Sequence, residues 1–235
     1  VSGAPCQDRE GFRVVDDANG GEVVIAVVCD GAGSASRSDI GAELVSEAFR
    51  ALAGGFVAAH GASAVTEAQI GIWIADIQGR IAGRADVEAA QPRDYASTLI
   101  FLIAGDEQTI CGQIGDGAIV LNCADELRVP VWPQNGEYAN QTFFVTQEDA
   151  CSHLQLIRCS AVRDFVMFSD GLQRLALNEA ERAPHPQFFR PLIDIVRSAE
   201  ALDTTRDSLE AFLSSDRVNS KTDDDKSIIV GCRID

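Results

Sequence analysis

The sequence predicts a layered α+β domain in which the strands form a sandwich and the helices lie on its outer faces. Three observations carry this. Two stretches in the first third of the chain repeat their apolar residues at helical spacing; the middle then breaks into short apolar runs separated by turns; helical spacing returns near the C-terminus, followed by one last strand-like run. The 235 residues are 46% hydrophobic, enough for one sizeable core, and their even spread favours one domain over residues 1–235.

Taken in order, residues 12–15 predict a strand and 16–21 a hairpin loop around Asn19-Gly20. Residues 23–29, Val-Val-Ile-Ala-Val-Val-Cys, form a β-branched run suited to a strand buried on both faces. A helix is expected over 38–52, from Ile40, Leu44, Val45, Ala48, Phe49 and Leu52, with Gly54-Gly55 stopping it. A second is expected over 62–80, with Val65, Ala68, Ile72, Trp73 and Ile77 on one face, and 81–93 as helix end and loop. Residues 97–104, 108–114, 118–122 and 127–131 read as a meander of antiparallel strands, and Pro133 to Gly136 as a turn-rich loop. Further strands are expected at 142–145, 155–159, 164–168 and 227–232, with helices at 186–197 and 204–214.

The net charge of −17, from 36 acidic against 19 basic residues, argues against a nucleic-acid surface and against an anionic membrane. It suits a protein that concentrates divalent cations, although acidity also serves solubility. No apolar stretch is long enough to span a bilayer. Seven cysteines with no C-x-x-C pair read as reduced core residues of a cytoplasmic protein.

Four aspartate-bearing junctions stand at strand ends or tight turns: Asp30-Gly31, Asp116-Gly117, Asp170-Gly171 and the run Asp223 to Asp225. Singly, each has an ordinary reading. Asp116 fits a hairpin turn, the triple run a solvated loop, and Asp30 a capping residue. Together they matter more, because a carboxylate at the end of a buried strand needs a partner. Converging strand ends would form an all-oxygen cage that suits Mg²⁺ or Mn²⁺ and poorly suits zinc or copper. Two such ions can activate a water and neutralise a phosphoryl group. Other chemistries are thin. His60, His153 and His185 have no metal or triad spacing, there is no G-x-S-x-G or Walker A motif, and Ser36 stands where a dinucleotide loop needs glycine.

These residues resemble the metal-dependent protein phosphatases, the PP2C-like serine/threonine phosphatases, and above all their small bacterial members. Asp30-Gly31-Ala32-Gly33, Ser97-Thr98, Gly115-Asp116-Gly117, Ser169-Asp170-Gly171 and Asp224-Asp225-Lys226-Ser227 match the family's motifs in order and coarse spacing over essentially the whole chain. The resemblance implies a four-layer α-β-β-α sandwich of two antiparallel sheets flanked by helices. It also implies hydrolysis of phosphoserine and phosphothreonine on proteins by a metal-bridging water or hydroxide. Asp30 would hold both ions, with the Gly31 carbonyl on one, and Asp170 and Asp224 would hold the other. Asp116 would lie beside a third, weaker position, with Asp170 shared. Asp8 would act through a bound water or from behind the ligands, and Asp225 occupies a variable position. The partner implied is a phosphorylated protein, such as a kinase or its target, acted on by a monomer.

Four departures stand out. Gln7 replaces an acidic residue. The arginine that grips the substrate phosphate has no counterpart, its place falling near Gly3, with Arg9, Arg13 and Arg37 as candidate substitutes. Ala32 stands where some members carry a histidine, and the segment 123–141 is shorter than in longer relatives. Two other readings stay open: a catalytically weak or inactive domain of this type that binds a phosphoprotein or partner, and a nucleotide-binding α/β enzyme, which would need a parallel sheet.

Overall fold

The structure, a computed structural model, describes residues 6–134 and 142–234. Gly3, and Asn135 and Gly136 of the expected loop, lie outside them. Strands β1 (Arg9–Asp16), β2 (Glu22–Cys29), β3 (Leu99–Ala104), β4 (Gln108–Ile114) and β7 (Gln155–Ser160) form a five-stranded sheet in the order β1-β2-β3-β4-β7. Strands β5 (Ala118–Cys123), β6 (Glu126–Arg128), β8 (Asp164–Phe168) and β11 (Ile228–Cys232) form a second sheet in the order β11-β8-β5-β6. Every pairing is antiparallel. A two-stranded ribbon of β9 (Leu177–Asn178) and β10 (Ala183–Pro184) stands apart.

Strand alternation explains the layers. In β2, Ile25, Val27 and Cys29 face the helices α1 (Ser38–His60) and α2 (Glu67–Val87), where Phe49 packs on Phe101 at 4.5 Å and on Trp73 at 5.5 Å between ring centres. The alternate residues Ala26 and Val28 join Ile100, Leu102, Ile119, Leu121, Phe165 and Met167 between the two sheets. On the outer side of the second sheet, Val120, Val166 and Phe168 meet Phe189, Ile193, Leu213 and Val218, carried by α4 (Pro186–Arg197), α5 (Leu202–Leu213) and α6 (Asp216–Asn219); a short α3 (Gln173–Ala176) precedes β9. The strands at 23–29 and 164–168 are thus buried on both faces, as their apolar runs indicate. This is a four-layer α-β-β-α sandwich.

Several local expectations change. Helix α1 runs through Gly54-Gly55 and ends at His60, with the Gly61 N–H donating to the Val57 carbonyl at 2.8 Å. Two interior glycines cost about 1 kcal/mol each relative to alanine, which the burial of Ala53 and Val57 outweighs. Helix α2 begins at Glu67 behind a Thr66 cap, and its buried stripe is Ile70, Trp73, Ile74, Ile77 and Ile81. Ala68 and Ile72 therefore point outward. No strand forms at 142–145. The meander is divided: Ile114 closes the first sheet against Leu99, whereas Ala118 opens the second against Phe168. Gly115-Asp116-Gly117 is accordingly a crossover between sheets rather than a hairpin turn. Gly115 at φ 121° makes that change of direction possible.

At the end of β8 remote from this crossover, the fully buried Asp164 accepts hydrogen bonds from Arg197 at 2.6 Å and Asn122 at 2.7 Å, tying β8 to α4. Among the described residues no helix is long and apolar enough to cross a membrane. All seven cysteines are free thiols.

Helix α1 meets the 3₁₀ turn Pro92–Tyr95 most closely at Gly41, where a Cβ would lie 2.1 Å from the Tyr95 carbonyl oxygen, whereas nothing lies within 4 Å at Gly55. Gly41→Ala should lower unfolding free energy in urea by about 2–3 kcal/mol, while Gly55→Ala should leave it unchanged or raise it by about 0.5–1 kcal/mol. Equal effects of the two substitutions would contradict this packing.

Candidate metal centre

The antiparallel register brings the singled-out aspartates to one rim of the sandwich. Arg9 at the start of β1 pairs with Cys29 at the end of β2, so Asp8 and Asp30 emerge side by side. Phe168 at the end of β8 pairs with both Ala118 and Ile228, placing Asp170 beside the 115–117 crossover and the 224–227 segment. Alternation within strands has no part in this. The carboxylates come from strand ends, and the pairing of those ends gathers them.

Backbone and hydroxyl groups fix each one. The Asp30 N–H donates to Thr98 Oγ1 and the Thr98 N–H donates to the Asp30 carbonyl, both at 2.8 Å, with Gly31 bridging to Ser97 alongside. Ser169 and Ser227 pair twice at 3.1 Å, N–H to carbonyl and N–H to Oγ, which locks Asp170 against the 224–225 segment. Thr142 Oγ1 donates to Asp116 Oδ2, and Gln173 Nε2 donates to the Asp116 carbonyl. The Gln7 N–H donates to Asp225 Oδ2 at 2.6 Å.

The resulting electrostatics are one-sided. Burial is the first cause that pushes the carboxyls of Asp8, Asp30, Asp116 and Asp170 upward, and neighbouring carboxylates push further. Asp225 and Asp170 act on Asp8; Asp8, Asp170 and Asp116 act on Asp30; Asp116 and Asp224 act on Asp170. Asp8, only 3% exposed, is raised to about 7, and Asp30 further still. None of the ion pairs among the described residues engages this cluster. Asp8, Asp30 and Asp170 lie close enough to perturb one another, and among the described residues no three acidic, histidine or cysteine side chains are already drawn together as a ligand set.

Two oxygens in the cluster, Asp8 Oδ2 and Asp170 Oδ1, are buried without a hydrogen-bond partner. Orphaned carboxylate oxygens in an all-oxygen set fit a hard divalent cation, which would supply the missing positive charge. The residues present therefore fit magnesium or manganese.

The candidate arginines part company. Arg13 lies on the α1 side of β1, its Cδ 3.1 Å from where a Cβ on Gly54 would stand. Arg37 is paired with Glu88 at 3.1 Å and lies over the Tyr95 ring. Arg9 stays at the rim, donating to the carbonyls of Cys6 and Asp8. Gln7 turns its side chain to Ser38 at the start of α1, donating to Oγ at 2.6 Å. Two supports escape a reading of sequence. Thr142 reaches Asp116 across 26 positions, and no local signal marks it; Gln173 does so from the turn after Asp170, where a helical spacing from the aspartate could have pointed to it.

The Protein phosphatase 2C family model matches residues 1–214. The chain is 35% identical to serine/threonine-protein phosphatase 3 of Escherichia coli (strain K12), over 95% of this chain and 89% of that protein. In fold it is similar to the serine/threonine phosphatase Stp1 from Staphylococcus aureus, with a TM-score of 0.62 at 12% identity over 99% of this chain and 91% of that one. It is equally similar to the catalytic domain of the serine/threonine phosphatase PstP in complex with two manganese ions, with a TM-score of 0.62 at 16% identity over 97% and 99% of the two chains.

The raised carboxyls give stability a sign with pH. A carboxyl whose pKa rises on folding favours the folded state below the ordinary aspartate range, and that contribution is lost as pH climbs toward the raised value. The metal-free protein should therefore lose thermal stability in EDTA as pH rises from about 4 through about 7. Added Mn²⁺ should raise the midpoint more at about pH 8 than at about pH 5, because protons compete for the same oxygens. A midpoint in EDTA that climbs over this range would contradict the cluster's electrostatics.

Proposed function

The chain belongs to the protein phosphatase 2C family of serine/threonine phosphatases, and on that premise we propose that its carboxylate rim hydrolyses phosphoserine and phosphothreonine monoesters on proteins with two divalent ions. The observation that carries this reading is a contiguous set of aspartates, gathered by strand pairing, with buried unpartnered oxygens and, among the described residues, no ion pair. Asp30, Asp170 and Asp224 are the catalytic carboxylates. Asp30, with the Gly31 carbonyl, Asp170 and Asp224 would hold the two ions, and Asp116 would serve a third, weaker position. Asp8, behind Asp30, acts through water or by orienting it. The PstP domain named above carries two manganese ions, in keeping with this count.

When bound, such ions lower the pKa of a water and offset charge on the phosphoryl oxygens. The protein's own part is to hold geometry. Thr98 prevents the Asp30 backbone from shifting, and Thr142 orients the carboxyl of Asp116. The Ser169–Ser227 pair keeps Asp170 and Asp224 on adjoining segments. Water attacks phosphorus, the bond to the serine or threonine oxygen breaks, and no enzyme side chain is phosphorylated. Cys29, adjacent to Asp30, takes no part, because its thiol is fully buried and burial raises its pKa.

Asp30→Asn and Asp170→Asn should each lower Mn²⁺-dependent hydrolysis of a phosphothreonine peptide by about a hundredfold or more, the scale of several kcal/mol of lost stabilisation. Far-UV circular dichroism should stay unchanged in both. Near-wild-type turnover with a full Mn²⁺ response in either variant would overturn the assignment. A folded wild-type chain inert with every divalent metal would instead make it a phosphoprotein-binding module.

A further inference from the structure

A cavity of about 560 Å³ opens beside the carboxylate rim. One wall is the loop that leaves Asp30, another the turn at Pro92–Tyr95, and the third the segment 144–148. The cavity is continuous with the rim through the backbone. Ala32 N–H donates to the Ala96 carbonyl at 2.9 Å, one step beyond the Gly31–Ser97 bridge, and Val145 N–H donates to the Ser97 carbonyl at 2.9 Å. The segment that carries this wall also carries Thr142, which holds Asp116. Ala32, Ala35 and Ala96 line the cavity with methyl groups and so keep it open.

The only cation in the lining is Arg93, which is exposed and has no ion pair among the described residues. Of the two acidic groups in the lining, Asp94 is engaged in accepting the Gln91 N–H at 2.9 Å, and Glu148 makes no ion pair with Arg93. The hydroxyls of Ser34 and Thr146 supply further polar groups for a peptide backbone. A free guanidinium on a firm 3₁₀ turn, set next to a phosphate-hydrolysing rim, presents a planar fork for an anion.

We propose that this cavity is a substrate subsite in which Arg93 holds an anionic group, a carboxylate or a second phosphate, flanking the phosphorylated residue of the protein substrate. This rests on the phosphatase reading above. Arg93 is a specificity residue. It acts on the substrate beside the transferred phosphoryl group, and none of the sequence's candidate arginines lines this cavity.

The test compares three phosphothreonine peptides that share one sequence and carry alanine, glutamate or phosphoserine at the flanking position. Each is hydrolysed in Mn²⁺ by wild type, Arg93→Ala and Arg93→Lys, with p-nitrophenyl phosphate as a check that wild type is active. Wild type should favour an anionic flank over alanine by about tenfold or more in kcat/KM, the scale of one charge-assisted hydrogen bond. Arg93→Ala should bring that ratio close to one, and Arg93→Lys should restore part of it. Preference for the phosphoserine peptide alone identifies the anion as phosphate, and preference for both identifies a general acidic flank. A wild-type ratio near one, a ratio unmoved by Arg93→Ala, or an equal loss on all three peptides would overturn the subsite. If wild type hydrolyses nothing, p-nitrophenyl phosphate included, the phosphatase reading fails separately. Fluorescence anisotropy of the labelled peptides then decides the subsite from the same ratio in Kd.

Discussion

Six carboxylates, Asp8, Asp30, Asp116, Asp170, Asp224 and Asp225, occupy one rim, and the ion pairs among the described residues leave all of them out. Mutual repulsion and burial both oppose this arrangement, so something else has to hold it. The means are visible in the backbone. Thr98 and Asp30 clasp each other's main chain, Ser169 and Ser227 do the same, and Gln7 fixes Asp225. None of these bonds neutralises charge. They prevent the segments from moving apart, and three apolar layers supply the stability that the rim subtracts.

The sandwich is suited to this because it converts pairing into proximity. An antiparallel neighbour returns to the end it left, so a residue just past one strand faces a residue just before the next. Asp8 and Asp30 meet in this way in the first sheet, as do Asp170 and the 224–227 segment in the second. The crossover at 115–117 then joins the two sheets at the same end and delivers Asp116 between them. A hairpin at that point would have kept Asp116 within one sheet. Because the chain changes sheets there, one short turn serves both as connection and as ligand-bearing loop.

What the sequence revealed follows from how local each signal is. The runs 23–29 and 164–168 announce buried strands because both faces are apolar, and the aspartates that end them need no tertiary knowledge to be noticed. Gly54-Gly55 misled because a stop signal in isolation is overridden once neighbouring residues bury against a sheet. Residues 142–145 look like a strand by composition, yet they pair with no strand and serve to reach Asp116 and Ser97. The strand spacing at 108–122 is as consistent with a sheet change as with a hairpin, since the choice lies in packing between layers. Nothing in the sequence chooses among the three candidate arginines. Their fates, at the rim, along α1 or paired with Glu88, depend on which way a strand or loop faces.

Gln7 shows how a departure from a family pattern can be compensated by geometry. Its side chain donates to Ser38 and its main chain donates to Asp225, so one residue links the start of α1 to a segment 218 positions away. A carboxylate at position 7 could not donate to the Ser38 hydroxyl and would add a further negative charge beside Asp8 and Asp225. The amide therefore gives up one anionic contact to the rim and in return ties the segment that bears Asp8 to the start of α1, while the main-chain bond to Asp225 does not depend on the side chain. A rim assembled from residues 7 to 227 has few short-range contacts to hold it, so it forms only when both sheets are in place. In such a site, a neutral side chain that fastens the Asp8 segment to α1 helps to position the carboxylates without adding to their mutual repulsion.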